Sequence, residues 1–146
     1  MQLAPGLHRI GNDIVAAHLI VADDGITLVD AALPGHYRDL ERELASMGRP
    51  ITDIRGIVVT HGDSDHIGFA ERLRRQLDIP VYVGAEDAER AKGAKPPATT
   101  WGARRMGPLL GFLAYTIRKG GYRAQPLSTV STVLSLIHIS EPTRPY

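Results

Sequence analysis

Hydrophobic and polar positions in the first part of the chain alternate between two rhythms. "GLHRIG" and the longer "DIVAAHLIVA" are β-rich runs, and Asp23-Asp24-Gly25 reads as a tight turn before "ITLVDA" returns as the partner strand, ending at Asp30. This predicts a hairpin over 14–30. In "HYRDLERELASMG" the spacing changes. Tyr37, Leu40, Leu44 and Met47 recur at helical intervals, and Gly48 stands where a helix C-cap belongs, which predicts a helix over 36–47. "IRGIVVT" predicts a strand over 54–60, apolar enough to be buried on both faces. Ile67, Ala70, Leu73 and Leu77 mark a second helix over 66–78, closed by Pro80. "VYVGA" predicts a further buried strand over 80–84, and "EDAERAKG" a short helix or turn. Strands alternating with helices imply an α/β layered architecture, with the hairpin and both later strands in one mixed sheet and the two helices packed on it.

Beyond residue 93 the pattern loosens. "AKPPATT" reads as a loop, and "WGARRMGPLLGFLAYTIRKGG" (101–121) is a glycine-interrupted apolar segment flanked by basic residues. Three readings fit it: a helix or helix pair packed on the core, an insertion covering a substrate, or a helix lying on a membrane surface. No internal repeat is visible. The tail "LSLIHISEPTRPY" looks like a translated sequencing-adapter read-through, an ordinary frayed C-terminus being the plainer alternative, and the closeness over its whole length favours the former. The expectation is therefore a domain over 1–133 and a non-native tail over 134–146, in which His138 carries no function.

Composition narrows the function classes. A chain of 146 residues suits one domain with a single core. With 17 basic and 16 acidic residues the formal net charge is +1, so no global field argues for nucleic acid or an anionic membrane. Cysteine is absent, which excludes disulfides, thiolate zinc sites and cysteine nucleophiles. "MQLAPGLHRIGNDIV" lacks a basic n-region and a long apolar h-region, and Met106 to Ile117 is too short to span a bilayer. The expectation is a cytoplasmic protein without stable membrane anchoring, its oligomeric state open.

The chemistry concentrates in "GIVVTHGDSDHIG" (56–68). Two histidines and two aspartates fall within six positions directly after an apolar strand. A strand end fixes the backbone while the following loop lets side chains converge. Gly62 permits a sharp bend after His61, and Asp63 at i+2 can point to the same side as His61. Asp65 and His66 then lie at the start of the next helix, where Ser64 or Asp65 could cap free N–H groups, and Gly68 removes bulk where that helix turns under the site. Imidazole nitrogen with carboxylate oxygen is the ligand set of zinc, or of manganese or iron where oxygen dominates. The plainer alternative is a capped strand-to-helix turn whose histidines bond locally; the density of donors after a buried strand favours the metal.

"THGDSDHIG" resembles the T-H-x-H-x-D-H-x-G signature of the metallo-β-lactamase-fold hydrolases. The surrounding order is similar too: hairpin strands ending in "LVDAALPG", a helix, a buried strand, the motif, a helix, then "IPVYVGAED". The likeness covers Gly6 to Glu86 well and runs loosely to Val133. It implies an α/β fold of the metallo-β-lactamase-like αββα sandwich type, of which this chain carries the N-terminal half plus part of an insertion. It implies that His61 and Asp63 serve one metal and Asp65 and His66 the other, that Asp65 also orients the attacking hydroxide, and that Asp30 sits behind the ligands and orients one of them; the bland role for Asp30 is a turn former at the hairpin end. Asp63 departs from the signature, which has histidine there; a carboxylate can ligate, but it adds negative charge and hardens the site. The downstream histidine, bridging aspartate and final histidine of the family have no counterpart between Gly68 and Val133.

The resemblance thus implies the N-terminal part of a hydrolase that uses one or two Zn2+ ions, with Mn or Fe as alternatives. Its metal-activated water would act on an ester-like small molecule of the thioester, lactone or lactam class, with phosphodiesters open and no nucleic-acid partner expected. A catalytically inactive fragment or degenerate domain with weak metal binding is the competing reading. A redox di-iron protein of the same fold is a third, for which the sequence offers no flavin partner domain.

Overall fold

A computed structural model of the chain describes residues 1–94 and 106–133. The strand rhythm becomes a single seven-stranded sheet in chain order: β1 Gln2–Ala4, β2 Leu7–Gly11, β3 Ala16–Ala22, β4 Gly25–Val29, β5 Ile54–Val59, β6 Val81–Gly84 and β7 Ser131–Val133. β1 to β4 pair antiparallel, and β4 to β7 pair parallel. A two-residue turn, Asp23-Asp24, sets Ala22 opposite Gly25 and so fixes the register of the predicted hairpin. The parallel half needs crossovers, which α1 (Tyr37–Ser46) and α2 (Ala70–Leu77) supply. The mixed sheet is thus the one the sequence predicts, with β1 and β7 as additional edge strands. Because β4, β5 and β6 run parallel, the loops after Val29, Val59 and Gly84 leave the sheet at one edge. That edge carries the site.

One face of the sheet is the core. Leu19, Ile26, Leu28, Ile54, Ile57, Val81 and Val83 pack beneath Tyr37, Leu40 and Leu44 of α1 and Ala70 and Leu73 of α2. The opposite face differs from expectation. β5 and β6 are not buried on both sides: Arg55, Val58 and Tyr82 are exposed. Val29, Val58 and Tyr82 are register partners across β4, β5 and β6, and Ile20 of β3 lies on the same face, so an apolar row runs across the open side. The cause is the one-sided placement of α1 and α2.

The second helix also begins later than its periodicity predicts, at Ala70 rather than 66. Three backbone groups of residues 66–69 bond to the loop after β4 instead. Ala31 N–H donates to His66 O at 2.6 Å, Gly68 N–H to Ala32 O at 2.8 Å and Phe69 N–H to Ala31 O at 3.2 Å. These tertiary bonds displace the i→i−4 ladder that local spacing favours. Asp78, in the left-handed region at φ 52°, ends α2 ahead of Pro80. Gly48, at φ 64°, ends the first helical segment as predicted.

The segment before β7 is fastened through a buried charge. Glu71 is 2% exposed. Its carboxylate accepts Arg74 Nε and Nη2 at 3.0 and 3.1 Å, Arg75 Nε at 2.6 Å, and Ser128 N–H and Oγ–H at 3.2 and 2.8 Å. Burial alone raises its pKa, but the Arg74 guanidinium, Ser128 and Arg75 outweigh it and hold the carboxyl at about 2. A depressed carboxyl stabilises the fold above its unfolded pKa, and that stabilisation is lost as pH falls through the folded one. Stability should therefore drop by about 3 kcal/mol between pH 4.5 and pH 2 on account of this group. Denaturant melts across that window check it, and Glu71→Gln should flatten the dependence; an unchanged slope would remove Glu71 from the account.

α3 (Ala88–Ala91) is the short helix expected in "EDAERAKG". α4 (Met106–Arg118) lies within the predicted apolar segment. It meets the body of the fold through Tyr115, whose hydroxyl is 2.7 Å from Nε2 of the fully buried His36, and through Gly35 N–H donating to Lys119 O at 2.9 Å. Leu110, Leu113 and Ile117 are exposed, so the helix is not a fully packed core element. Among the described residues no helix is long and apolar enough to cross a membrane. The loop expected over 95–100, residues 101–105 and the tail 134–146 with His138 lie outside the described residues.

Candidate metal centre

The centre is built on the end of β4. Asp30 takes the left-handed conformation at φ 60°, its N–H donates to Val58 O at 2.8 Å, and its side chain turns toward the end of β5. Oδ1 accepts Thr60 N–H at 2.8 Å and Thr60 Oγ–H at 3.0 Å; Oδ2 accepts from His66 Nδ1 at 2.9 Å. A non-glycine residue with positive φ is strained, and here the three-point anchorage of a 7%-exposed carboxylate holds it. Burial alone raises the Asp30 pKa, but the bonds from His66 and Thr60 outweigh it and lower it below the usual carboxylate range. For His66 burial disfavours the imidazolium, yet Asp30, with Asp65 and Asp63 behind it, lifts the pKa above its ordinary value.

With Nδ1 committed to Asp30, His66 presents Nε2 on the side of Asp65, 3.7 Å from Oδ2. The His61 ring lies against His66 with centroids 3.7 Å apart and the planes tilted by 44°, and its Nδ1 lies 3.1 Å from Thr60 Oγ1. His61 Nε2 faces Asp63 Oδ2 at 3.5 Å. The other oxygen of Asp63 is taken: Arg90 Nη2 lies 2.5 Å from Oδ1. The motif side chains thus face one another in two pairs, His61–Asp63 and Asp65–His66. Among the described residues no three imidazole or carboxylate groups are placed to hold one ion.

The donor chemistry still discriminates between the pairs. Asp65 and His66 offer a carboxylate and an imidazole nitrogen, the latter oriented from behind by a carboxylate, as a metal-ligating histidine requires. This half fits a divalent metal. The His61–Asp63 half has the right atoms, but Asp63 already carries a cation.

Several sequence readings are revised by close approach. Neither Ser64 nor Asp65 caps a helix: the residue preceding α2 is Phe69, and it makes no side-chain cap. The need for glycine at 62 lies in packing, since a Cβ there would stand 2.5 Å from Ala91 N and 2.9 Å from Arg90 C. Gly68 does not relieve a helix turn; its added Cβ would meet Ala32 O at 2.1 Å. Thr60, Asp87 and Arg90 were not singled out from the sequence. Thr60 stands inside the quoted motif and was legible there. Asp87, just before α3, whose Oδ1 lies 3.4 Å from Gly62 N, and Arg90, within α3, are linked to the motif by no spacing rule.

A profile of the Metallo-beta-lactamase superfamily matches residues 10–129. The probable metallo-hydrolase YflN of Bacillus subtilis is 26% identical over 102 residues, covering 66% of this chain and 39% of that protein. Ribonuclease J of Synechocystis is 34% identical over 85 residues, covering 54% of this chain and 13% of that protein. Among solved structures, BJP-1, a subclass B3 metallo-beta-lactamase of Bradyrhizobium japonicum, superposes with a TM-score of 0.60 at 26% identity, covering 66% of this chain and 37% of that one. The chain therefore spans well under half the length of these relatives.

Proposed function

The chain belongs to the metallo-beta-lactamase superfamily, and on that premise we propose that residues 1–133 are the N-terminal part of a metal-dependent hydrolase. One observation carries the reading: His66 is held by Asp30 through Nδ1 with Nε2 left facing Asp65. His61, Asp63, Asp65 and His66 are the candidate ligands for one or two zinc ions, with manganese or iron suited to the oxygen-rich set. A bound ion lowers the pKa of a water and polarises the substrate oxygen, so no serine or cysteine nucleophile is needed. The protein's own contribution is positional. Asp30 fixes the tautomer and ring plane of His66, Thr60 ties Asp30 to the strand end that launches His61, and Asp65 accepts a hydrogen bond from the attacking water and so aims it.

We assign the substrate to the ester-like small molecules: thioester, lactone or lactam. The balanced charge supports this, since a polynucleotide calls for a basic surface. The likeness to Ribonuclease J favours a phosphodiester as the second reading. The test is a hydrolysis panel of thioester, lactone, lactam and phosphodiester substrates at several zinc concentrations with chelator controls. It is run on the 146-residue chain and on a form carrying a family-length continuation in place of 134–146. Weak zinc binding and little turnover are expected for the first, since tight zinc needs three or four fixed ligands, and chelator-sensitive ester hydrolysis for the second. Phosphodiester cleavage alone would establish the second reading, and zinc-independent turnover would overturn both. Deleting 134–146 should leave metal binding unchanged.

A further inference from the structure

The inference rests on the metal-centre reading above and concerns the half of it that departs from the family signature. α3 lies hard against the motif loop, with Arg90 and Ala91 in the space a Cβ on Gly62 would fill. That approach delivers the Arg90 guanidinium to Asp63, Nη2 to Oδ1 at 2.5 Å, while Asp63 Oδ2 faces His61 Nε2 at 3.5 Å. Arg90 Nε is buried and finds no hydrogen-bond partner, so packing around the arginine stem places the charge and Asp63 receives it at the Nη2 end. Both side chains are about one-third exposed, which leaves an approach from solvent open.

The charge arithmetic explains the arrangement. Histidine at position 63 would be a neutral ligand; aspartate adds a negative charge beside Asp65 and Asp30. A guanidinium stays protonated at every working pH and cancels that charge. It also repels any divalent cation approaching the same carboxylate. We propose that Arg90 is a built-in counter-cation of Asp63, which closes the His61–Asp63 pair to a divalent metal and confines the metal to the Asp65–His66 pair.

Calorimetric titration of Zn2+ into the 146-residue protein, with Co2+ absorption as a parallel reading, tests this without any turnover measurement. The wild type should bind no more than one ion, and Asp65→Asn should abolish that binding. Arg90→Gln should admit a second ion or tighten binding by about tenfold or more. Arg90→Lys, which keeps the charge, should behave as wild type. Arg90→Met keeps the stem length without the charge; it replaces Arg90→Gln if the latter melts below the titration temperature. Two ions in the wild type overturn the proposal, as does binding unchanged in both neutral variants, and each leaves the metal-centre reading standing. One ion indifferent to Asp65→Asn, or no zinc on any variant, overturns the proposal together with that reading.

Discussion

Gly68→Ala is expected to cost about 4 kcal/mol or more, enough to leave the chain largely unfolded or insoluble. The new Cβ would stand 2.1 Å from Ala32 O, 2.5 Å from Leu33 Cα and 2.7 Å from Leu33 C. All three are backbone atoms of the turn after β4, so no side chain can swing aside. Relief requires separating 66–69 from 31–33, which breaks the bonds that Gly68 N–H and Phe69 N–H make to Ala32 O and Ala31 O and frees His66 from its position over Asp30. Gly48→Ala is the internal control. It too has positive φ, at 64°, but nothing lies within 4 Å of its added Cβ, so only the conformational penalty of about 1 kcal/mol applies. Urea unfolding of the two variants beside wild type separates them. Equal, small losses would show that the 31–33 turn yields, and that the contact does not hold the motif.

Asp65→Ala is expected to leave the fold in place and to lower kcat/KM of the complete hydrolase by about 10³-fold or more, a loss of roughly 4 kcal/mol in transition-state stabilisation. The side chain is partly exposed, and the contact it makes is to His66 Nε2 at 3.7 Å, outside the packed core. Melting temperature should therefore stay within about 2 °C of wild type, since surface changes away from packed features cost within about 0.5 kcal/mol. Zinc affinity should fall together with turnover. Asp65→Asn keeps the shape but loses the charge and should recover little. If Asp65→Ala retains more than a tenth of wild-type turnover, the ion and its water are held elsewhere. The His61–Asp63 pair would then be the first candidate, and Arg90 would have to yield to the metal.

The contrast between these two substitutions follows the division between local and long-range information. Asp65 stands out as a candidate because the motif is contiguous: two histidines and two aspartates stand within six positions after a strand, and resemblance to the family signature adds to what the residues themselves suggest. The β3–β4 hairpin, α1 with Tyr37, Leu40 and Leu44 inward, and β5 and β6 as partners in a mixed sheet were legible for the same reason, since a period of two or of 3.6 residues is set by neighbours along the chain.

What escaped the sequence was settled between segments far apart in it. Helical spacing placed the start of α2 at 66, but the N–H groups of 68 and 69 had a better use in the turn at 31–33, and backbone donors can be spent only once. β5 and β6 read as doubly buried because a run of apolar residues does not state how many faces helices will cover. Gly62 looked like a residue needed for its bend and Gly68 for room beneath a helix; both are needed for their lack of a Cβ against backbone that arrives from α3 and from the β4 turn. Glu71 with Ser128, His36 with Tyr115, and Arg90 with Asp63 join positions that no local rule connects. The sequence by itself determined which residues could form a metal centre and on which strand end they stand. Only the tertiary structure decided that Asp63 meets a guanidinium, because that pairing exists only once α3 has packed against the motif loop.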